Sequence, residues 1–145
     1  MTEAACGRVL GLDVGERRIG IAMSDPLGLS AQPLQVLERR GPAQDARAIA
    51  ALATTHAARA VVVGVPYTLR GTESEQTRRV LAFVEQLRAA VQAPIHLMDE
   101  RLTSVQGERD LIAMGTRREA RRKGRVDQVA AQLILQTYLE MRRHD

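Results

Sequence analysis

The stretch RVLGLDVGERRIGIAMS, Arg8 to Ser24, sets the reading of the whole chain. Val9 to Val14 is a near-continuous apolar run, the pattern of a strand covered on both faces. Gly15-Glu16 turns it, and Arg18 to Ser24 returns beside it, which predicts an antiparallel hairpin. Within the first strand stands one carboxylate, Asp13, flanked by Leu12 and Val14. An acid there is poorly solvated and needs a positive partner, or its pKa rises until it is neutral.

Working outward, AQPLQVLE at Ala31 to Glu38 predicts a third strand, placed at a sheet edge by Pro33, which has no N–H to donate. After Gly41-Pro42 an alanine-rich segment to about Ala58 predicts a helix, and AVVVGVP at Ala60 to Pro66 a doubly covered strand. Thr72-x-x-Glu75 has the form of a capping box and is expected to open a helix that Pro94 stops. PIHLM supplies a fifth strand. A second box, Thr103-x-x-Gln106, starts a helix fading near Gly115, and a last helix after Gly124 carries Val126, Val129, Ala130, Leu133, Ile134, Thr137, Tyr138 and Met141 on one face. The order predicts an α/β fold whose five-stranded mixed sheet has three antiparallel strands, then two parallel ones, with helices on both faces.

With 145 residues, the chain is expected to form one domain, burying ~70% of the surface exposed when unfolded. Aromatic residues are scarce, so Val, Leu, Ile and Ala must build the core, with Met23, Met98 and Met114 as gap-fillers. The single cysteine, Cys6, excludes an internal disulfide and a cysteine cage for zinc, and points to a reducing compartment with the cytoplasm as default. No window has the ~18 apolar residues of a membrane span. The net charge is +4, and the nine residues Arg117 to Arg125, RREARRKGR, contribute +5, leaving the remainder near neutral. That concentration suits a surface meeting polyanions. Between two helices, at about 116–125, it predicts a mobile basic arm.

Ligand sites in sheets of this kind lie at the carboxyl ends of the strands, where strand order reverses. Asp13 closes the first strand, Glu100 follows the fifth in HLMDERLTS, and Asp127 stands in the first turn of the last helix. Each has an ordinary explanation in turn chemistry or the helix dipole. Carboxylates converging there would repel one another without a divalent metal, and an all-oxygen set favours Mg²⁺ or Mn²⁺. His56, His96 and His144 show no metal-ligand spacing. Two ions ~3.5–4 Å apart beside a cationic arm suit phosphodiester hydrolysis, the arm holding the backbone by charge without reading sequence.

In order and spacing, GLDVGERRIGIAMSDPLG, VVVGVP, DERLTS and RKGRVDQVAAQLILQTYL resemble the YqgF (RuvX-type) family, pre-16S rRNA nucleases also described as Holliday-junction-resolvase-like. The likeness spans nearly the whole chain. It implies a ribonuclease H-like fold, metal ligands at Asp13, Glu100 and Asp127 that converge, and maturation of the pre-16S rRNA 5′ end. Arg18, and Arg101 and Thr103 of the DERLT block, match positions that would touch phosphate, although a helix cap explains Thr103. The basic arm adds Arg117, Arg118, Arg121, Arg122, Lys123 and Arg125 as nucleic-acid contacts. One departure is PYTLRG, with Tyr67 and Thr68 where the family commonly has Leu and Asn; Tyr67 is expected to pack over the sheet edge rather than stack on a base. RNA is the favoured partner and a ribosomal precursor a possible one, as monomer or homodimer. A junction-cutting DNA resolvase, a non-catalytic RNA- or ribosome-binding module, and nucleotide-dependent phosphotransfer remain open alternatives.

Overall fold

The computed structural model describes residues 7–114 and 125–143. Its strands are β1 (Arg8–Val14), β2 (Arg18–Ser24), β3 (Ala31–Glu38), β4 (Ala58–Val65) and β5 (Ile95–Asp99); its helices are α1 (Pro42–Thr55), α2 (Glu75–Ala90), α3 (Val105–Met114) and α4 (Arg125–Arg143). The sheet runs in the order β3-β2-β1-β4-β5. β1 is antiparallel to β2 and parallel to β4, β2 is antiparallel to β3, and β4 is parallel to β5. This is the predicted mixed sheet. β3 lies at an edge, and its Pro33 sits where the register with β2 shifts at Ile21/Ala22, so the missing N–H breaks no regular ladder.

Strand alternation divides the core into two layers. Leu10, Leu12, Val14, Ile19, Ile21, Val61, Val63 and Val65 face α1 and α2, where Ile49, Val80, Phe83 and Leu87 complete the packing. Val9, Ala22, Ala60, Val62 and Met98 face α3 and α4, meeting Val105, Ala131, Ile134, Leu135 and Tyr138. The small residues on this second face matter. A Cβ on Gly20 would lie far inside contact distance of the Asp127 backbone carbonyl, and one on Gly11 would come within 2.7 Å of Leu135 Cβ. Glycine in a strand here marks the close approach of another backbone, and it seats α4 directly on the sheet.

Several predicted boundaries shift. α1 ends at Thr55 rather than about Ala58, because Ala57 takes a left-handed conformation (φ 53°), and β4 begins there. Thr72-x-x-Glu75 does not cap α2. The cap is Ser74, whose Oγ accepts from the Thr77 amide at 3.1 Å while Thr77 Oγ1 accepts from the Ser74 amide at 3.0 Å. Thr72 is engaged one turn earlier, its hydroxyl 2.6 Å from that of Thr68. Likewise α3 does not take Thr103 as its cap position, as the Thr103-x-x-Gln106 pattern predicted. The first α3 bond runs from the Glu108 amide to the Ser104 carbonyl, so the cap position falls one residue later. Thr103 Oγ1 instead accepts from the Val105 amide at 3.2 Å and donates to the Glu100 carbonyl at 2.7 Å. Residues 115–124, and with them nearly all of the predicted basic arm, lie outside the described residues. Among the described residues, no helix is long and apolar enough to cross a membrane.

Candidate active site

β1 and β4 are parallel and central, and their carboxyl ends open onto the same edge as the end of β5. Asp13, the penultimate residue of β1, is 3% exposed. It pairs across the hairpin with Gly20, and the turn beyond it closes through Gly15 N–H to the Arg18 carbonyl at 2.8 Å. Alternation points Asp13 to the α4 face, where it is desolvated beneath the helix. Burial pushes its pKa up, and the neighbouring Arg109 pulls in the opposite direction.

Glu100 opens the 3₁₀ turn Glu100–Leu102 that follows β5. Its carboxylate reaches inward over Gly64, where a Cβ would sit 3.0 Å from Oε2. Burial raises its pKa, with Asp13 and Asp99 adding to the rise and Arg109 opposing it. Asp127, in the first turn of α4, is held at the same edge by the backbone contact with Gly20. Its pKa is pushed up to about 6, mainly by burial and further by Asp13, against the pull of Arg18 and Arg109. Three carboxylates thus share one poorly solvated edge.

Arg109 of α3 provides the local counter-charge. One terminal nitrogen donates to Asp13 Oδ1 at 2.6 Å and the other to Glu100 Oε1 at 3.1 Å. Although burial disfavours its charge, Asp13 and Glu100 outweigh that and raise its pKa. Sequence reasoning asked for a cation beside Asp13 but missed this one; it lies 96 positions away. The usable signal was an arginine on the helix that directly follows Glu100.

The structure therefore joins Asp13 and Glu100 through one guanidinium and sets Asp127 to the side. Among the described residues, no three His, Cys, Asp or Glu side chains stand close enough together to hold an ion as they are placed. Asp13 and Glu100 nevertheless suit a hard divalent cation: their oxygens already flank a positive group in a desolvated site.

The other predicted contacts separate. Arg18 Nε pairs with Glu38 at 3.2 Å, yet its charge still reaches Asp127. Arg101 clamps Asp99, at 2.6 Å from Nη2 to Oδ2, and lies over the Tyr67 ring at 5.8 Å. That hydrogen bonding holds Asp99 below its ordinary pKa. Tyr67 packs against the α1/α2 core, as expected of a residue covering the sheet edge. Together Tyr67, Leu69, Glu100, Arg101, Thr103 and Arg109 line much of a groove of about 740 Å³ that runs from Glu100 past the ends of β4 and β5. Arg117, Arg118, Arg121, Arg122 and Lys123 lie outside the described residues, and only the backbone of Arg125, at the start of α4, is described.

A support behind the hairpin turn also escaped the sequence. Asp45 of α1, 2% exposed, accepts from Arg39 Nε at 3.1 Å and from the Arg40 and Gly41 amides at 2.9 and 3.3 Å. Arg39 passes over Phe83, at 4.9 Å from the ring centre, and donates to the Gly15 carbonyl at 3.0 Å. The turn beside Asp13 is thereby tied to the α1/α2 layer.

Comparison with known proteins agrees with this architecture. Residues 7–141 match the family model RuvX, described as Holliday junction resolvase. A protein of Desulforudis audaxviator named "Putative pre-16S rRNA nuclease" is 43% identical over 136 residues, covering 94% of this chain and 96% of the relative. One of the same name from Chloroflexus aggregans is 44% identical over 136 residues, covering 94% and 95%. Among solved structures, Thermus thermophilus RuvC in complex with a Holliday junction substrate superposes with a TM-score of 0.62 at 17% identity, covering 94% of this chain and 96% of RuvC. Fowlpox virus resolvase with its junction DNA gives 0.52 at 11% identity, covering 92% and 97%. At such identities these two establish the shared fold. The family match and the relatives above 40% identity establish more: the chain belongs to the RuvX family.

Proposed function

We propose that this protein is a divalent-metal-dependent nuclease that hydrolyses phosphodiester bonds in RNA, acting in 5′ maturation of the pre-16S rRNA. The observation that carries the proposal is the edge shared by Asp13, Glu100 and Asp127, all with raised pKa values, in a chain whose relatives bear the name of that nuclease. Desolvated carboxylates of this kind are stabilised by a hard cation with oxygen ligands. Asp13 and Glu100 would hold it, with Asp127 completing the set. Mg²⁺ or Mn²⁺, as two ions, would supply an activated water and neutralise negative charge developing on the phosphoryl and leaving oxygens. The chain's own part is to fix two ligands on rigid strand ends, to exclude bulk water under α4, and to offer a groove along which a strand can lie. Arg101 lines that path, Arg18 sets its charge beside Asp127, and the basic segment Arg117 to Arg125 would hold the phosphate backbone by charge.

The test compares wild type with Asp13→Asn on labelled single-stranded RNA, structured precursor-like RNA and four-way DNA junctions in Mg²⁺ or Mn²⁺. Wild type should cut RNA, and the variant should lose more than the ~10–100-fold typical of altering a residue one shell out from a metal. Equal cutting by both proteins would overturn the assignment. Preferential, symmetric cutting of the four-way junction would replace RNA maturation by junction resolution, the reading favoured by the family description.

A further inference from the structure

The guanidinium of Arg109 stands where a metal ion's charge is needed. Its two terminal nitrogens are 2.6 Å from Asp13 Oδ1 and 3.1 Å from Glu100 Oε1, so it holds one oxygen of each acid. A divalent ion taking those oxygens would meet a second positive group at contact distance, and like charges in a desolvated site repel strongly. The two cations are therefore alternatives. Arg109 also has somewhere to go: it is a long side chain, about a quarter exposed, and it lines the same groove as Tyr67, Arg101 and Thr103. A planar guanidinium fork matches two phosphate oxygens as well as it matches a carboxylate.

We propose that Arg109 is a placeholder cation: the divalent ion displaces it from Asp13 and Glu100, and the released guanidinium becomes a phosphate ligand for the strand in the groove. The inference rests on the metal-dependent reading of the site. In the ion-free protein Arg109 supplies the counter-charge to the two acids and ties α3 to the edge. Once the ion arrives, the same side chain serves the substrate. Ion binding and strand binding are then coupled, each strengthening the other by the same factor.

The decisive experiment titrates the full chain with Mn²⁺ at pH 8 by calorimetry, without nucleic acid, for wild type, Arg109→Gln and Arg109→Lys. Removing the competitor should tighten Mn²⁺ binding in Arg109→Gln by about tenfold or more, ~1.4 kcal/mol per tenfold. In EDTA this variant should melt below wild type, and Mn²⁺ should raise its Tm by more. The second half of the proposal is read from fluorescence anisotropy of a 12-nucleotide RNA in Ca²⁺ and in EDTA, with strand integrity checked on a gel. The ion should strengthen RNA binding by wild type and do so much less for Arg109→Gln. Arg109→Lys keeps the charge without the fork, so its Mn²⁺ affinity should stay near wild type while the coupling falls. Equal or weaker Mn²⁺ binding by Arg109→Gln, or undiminished coupling in it, overturns the proposal. If no protein in the set binds Mn²⁺, the metal-dependent reading itself fails.

Discussion

Gly20→Ala is the substitution on which the site's geometry turns. The added Cβ would lie 2.9 Å from Asp127 Cβ and still closer to the Asp127 backbone carbonyl. Ordinary carbon contacts are ~3.5–4.0 Å, so α4 must lift by roughly an ångström, or β2 must sink by as much. Neither is a flexible chain end. β2 is paired on both sides, and α4 is fixed by Ile134, Leu135 and Tyr138 in the core. Overpacking of this kind costs ~1–3 kcal/mol. The catalytic cost should be larger than the stability loss alone implies, because a displacement of ~1 Å in a reacting constellation lowers rates by about 10²-fold. The assay pairs urea denaturation with single-turnover cleavage of the RNA substrate. Gly107→Ala is the control: that glycine lies in α3 with nothing within 4 Å of its would-be Cβ, and should stabilise by ~0.8–1 kcal/mol. If Gly20→Ala keeps both wild-type stability and wild-type cleavage, the claim that backbone contact sets the position of Asp127 is wrong.

Further outcomes concern charge. Asp45→Ala should destabilise by about 3 kcal/mol in urea titration, since it strands Arg39 in a buried pair; loss under 1 kcal/mol would show the network to be dispensable. Metal ligands must be deprotonated, so with Asp127 titrating at about 6 the Mn²⁺ affinity should fall as pH drops through that value; a flat profile from pH 5 to 8 would contradict it. In the ion-free protein the sign reverses. A carboxylate whose folded pKa is raised above its ordinary 3.8 favours folding while protonated, so Tm should decline as pH rises from about 4 through about 6, and Asp127→Asn should flatten that decline. Arg121→Glu with Arg122→Glu should weaken RNA binding and reduce its salt dependence, measured from 50 to 200 mM salt; unchanged slopes would remove those residues from the interface.

The architecture was legible because it is written locally. Doubly covered strands such as Val9–Val14 are continuous apolar runs, and α4 carries its core face in helical period, so element order and strand direction followed. Asp13 was legible as an anomaly, a charge where the pattern demands burial. Its counter-ion was not, because Arg109 comes from α3, 96 residues away, and no local spacing links the two. Gly20 and Gly64 carried an unused signal: glycines inside strands mark close approach, and together they indicate which face α4 and Glu100 would take. The caps were misplaced for a simpler reason. Thr72, Ser74 and Thr77 all qualify as hydroxyl caps, and the choice among them was made by the Thr68–Thr72 contact and by the Thr77 bond to the Pro66 carbonyl, both set by the loop's tertiary path.

Arg39 has a consequence for how the site opens. It connects Asp45 on one layer to the Gly15 carbonyl in the hairpin turn, so opening the turn breaks its bond to a guanidinium that a buried carboxylate holds in place. Segments tied this way exchange their amide hydrogens only through larger openings. The amide of Gly15, in a surface turn one residue past the end of β1, should therefore be as protected as the sheet interior. On that account the edge that carries the acids should exchange slowly, leaving the adaptability needed to admit a strand to the groove side and α3.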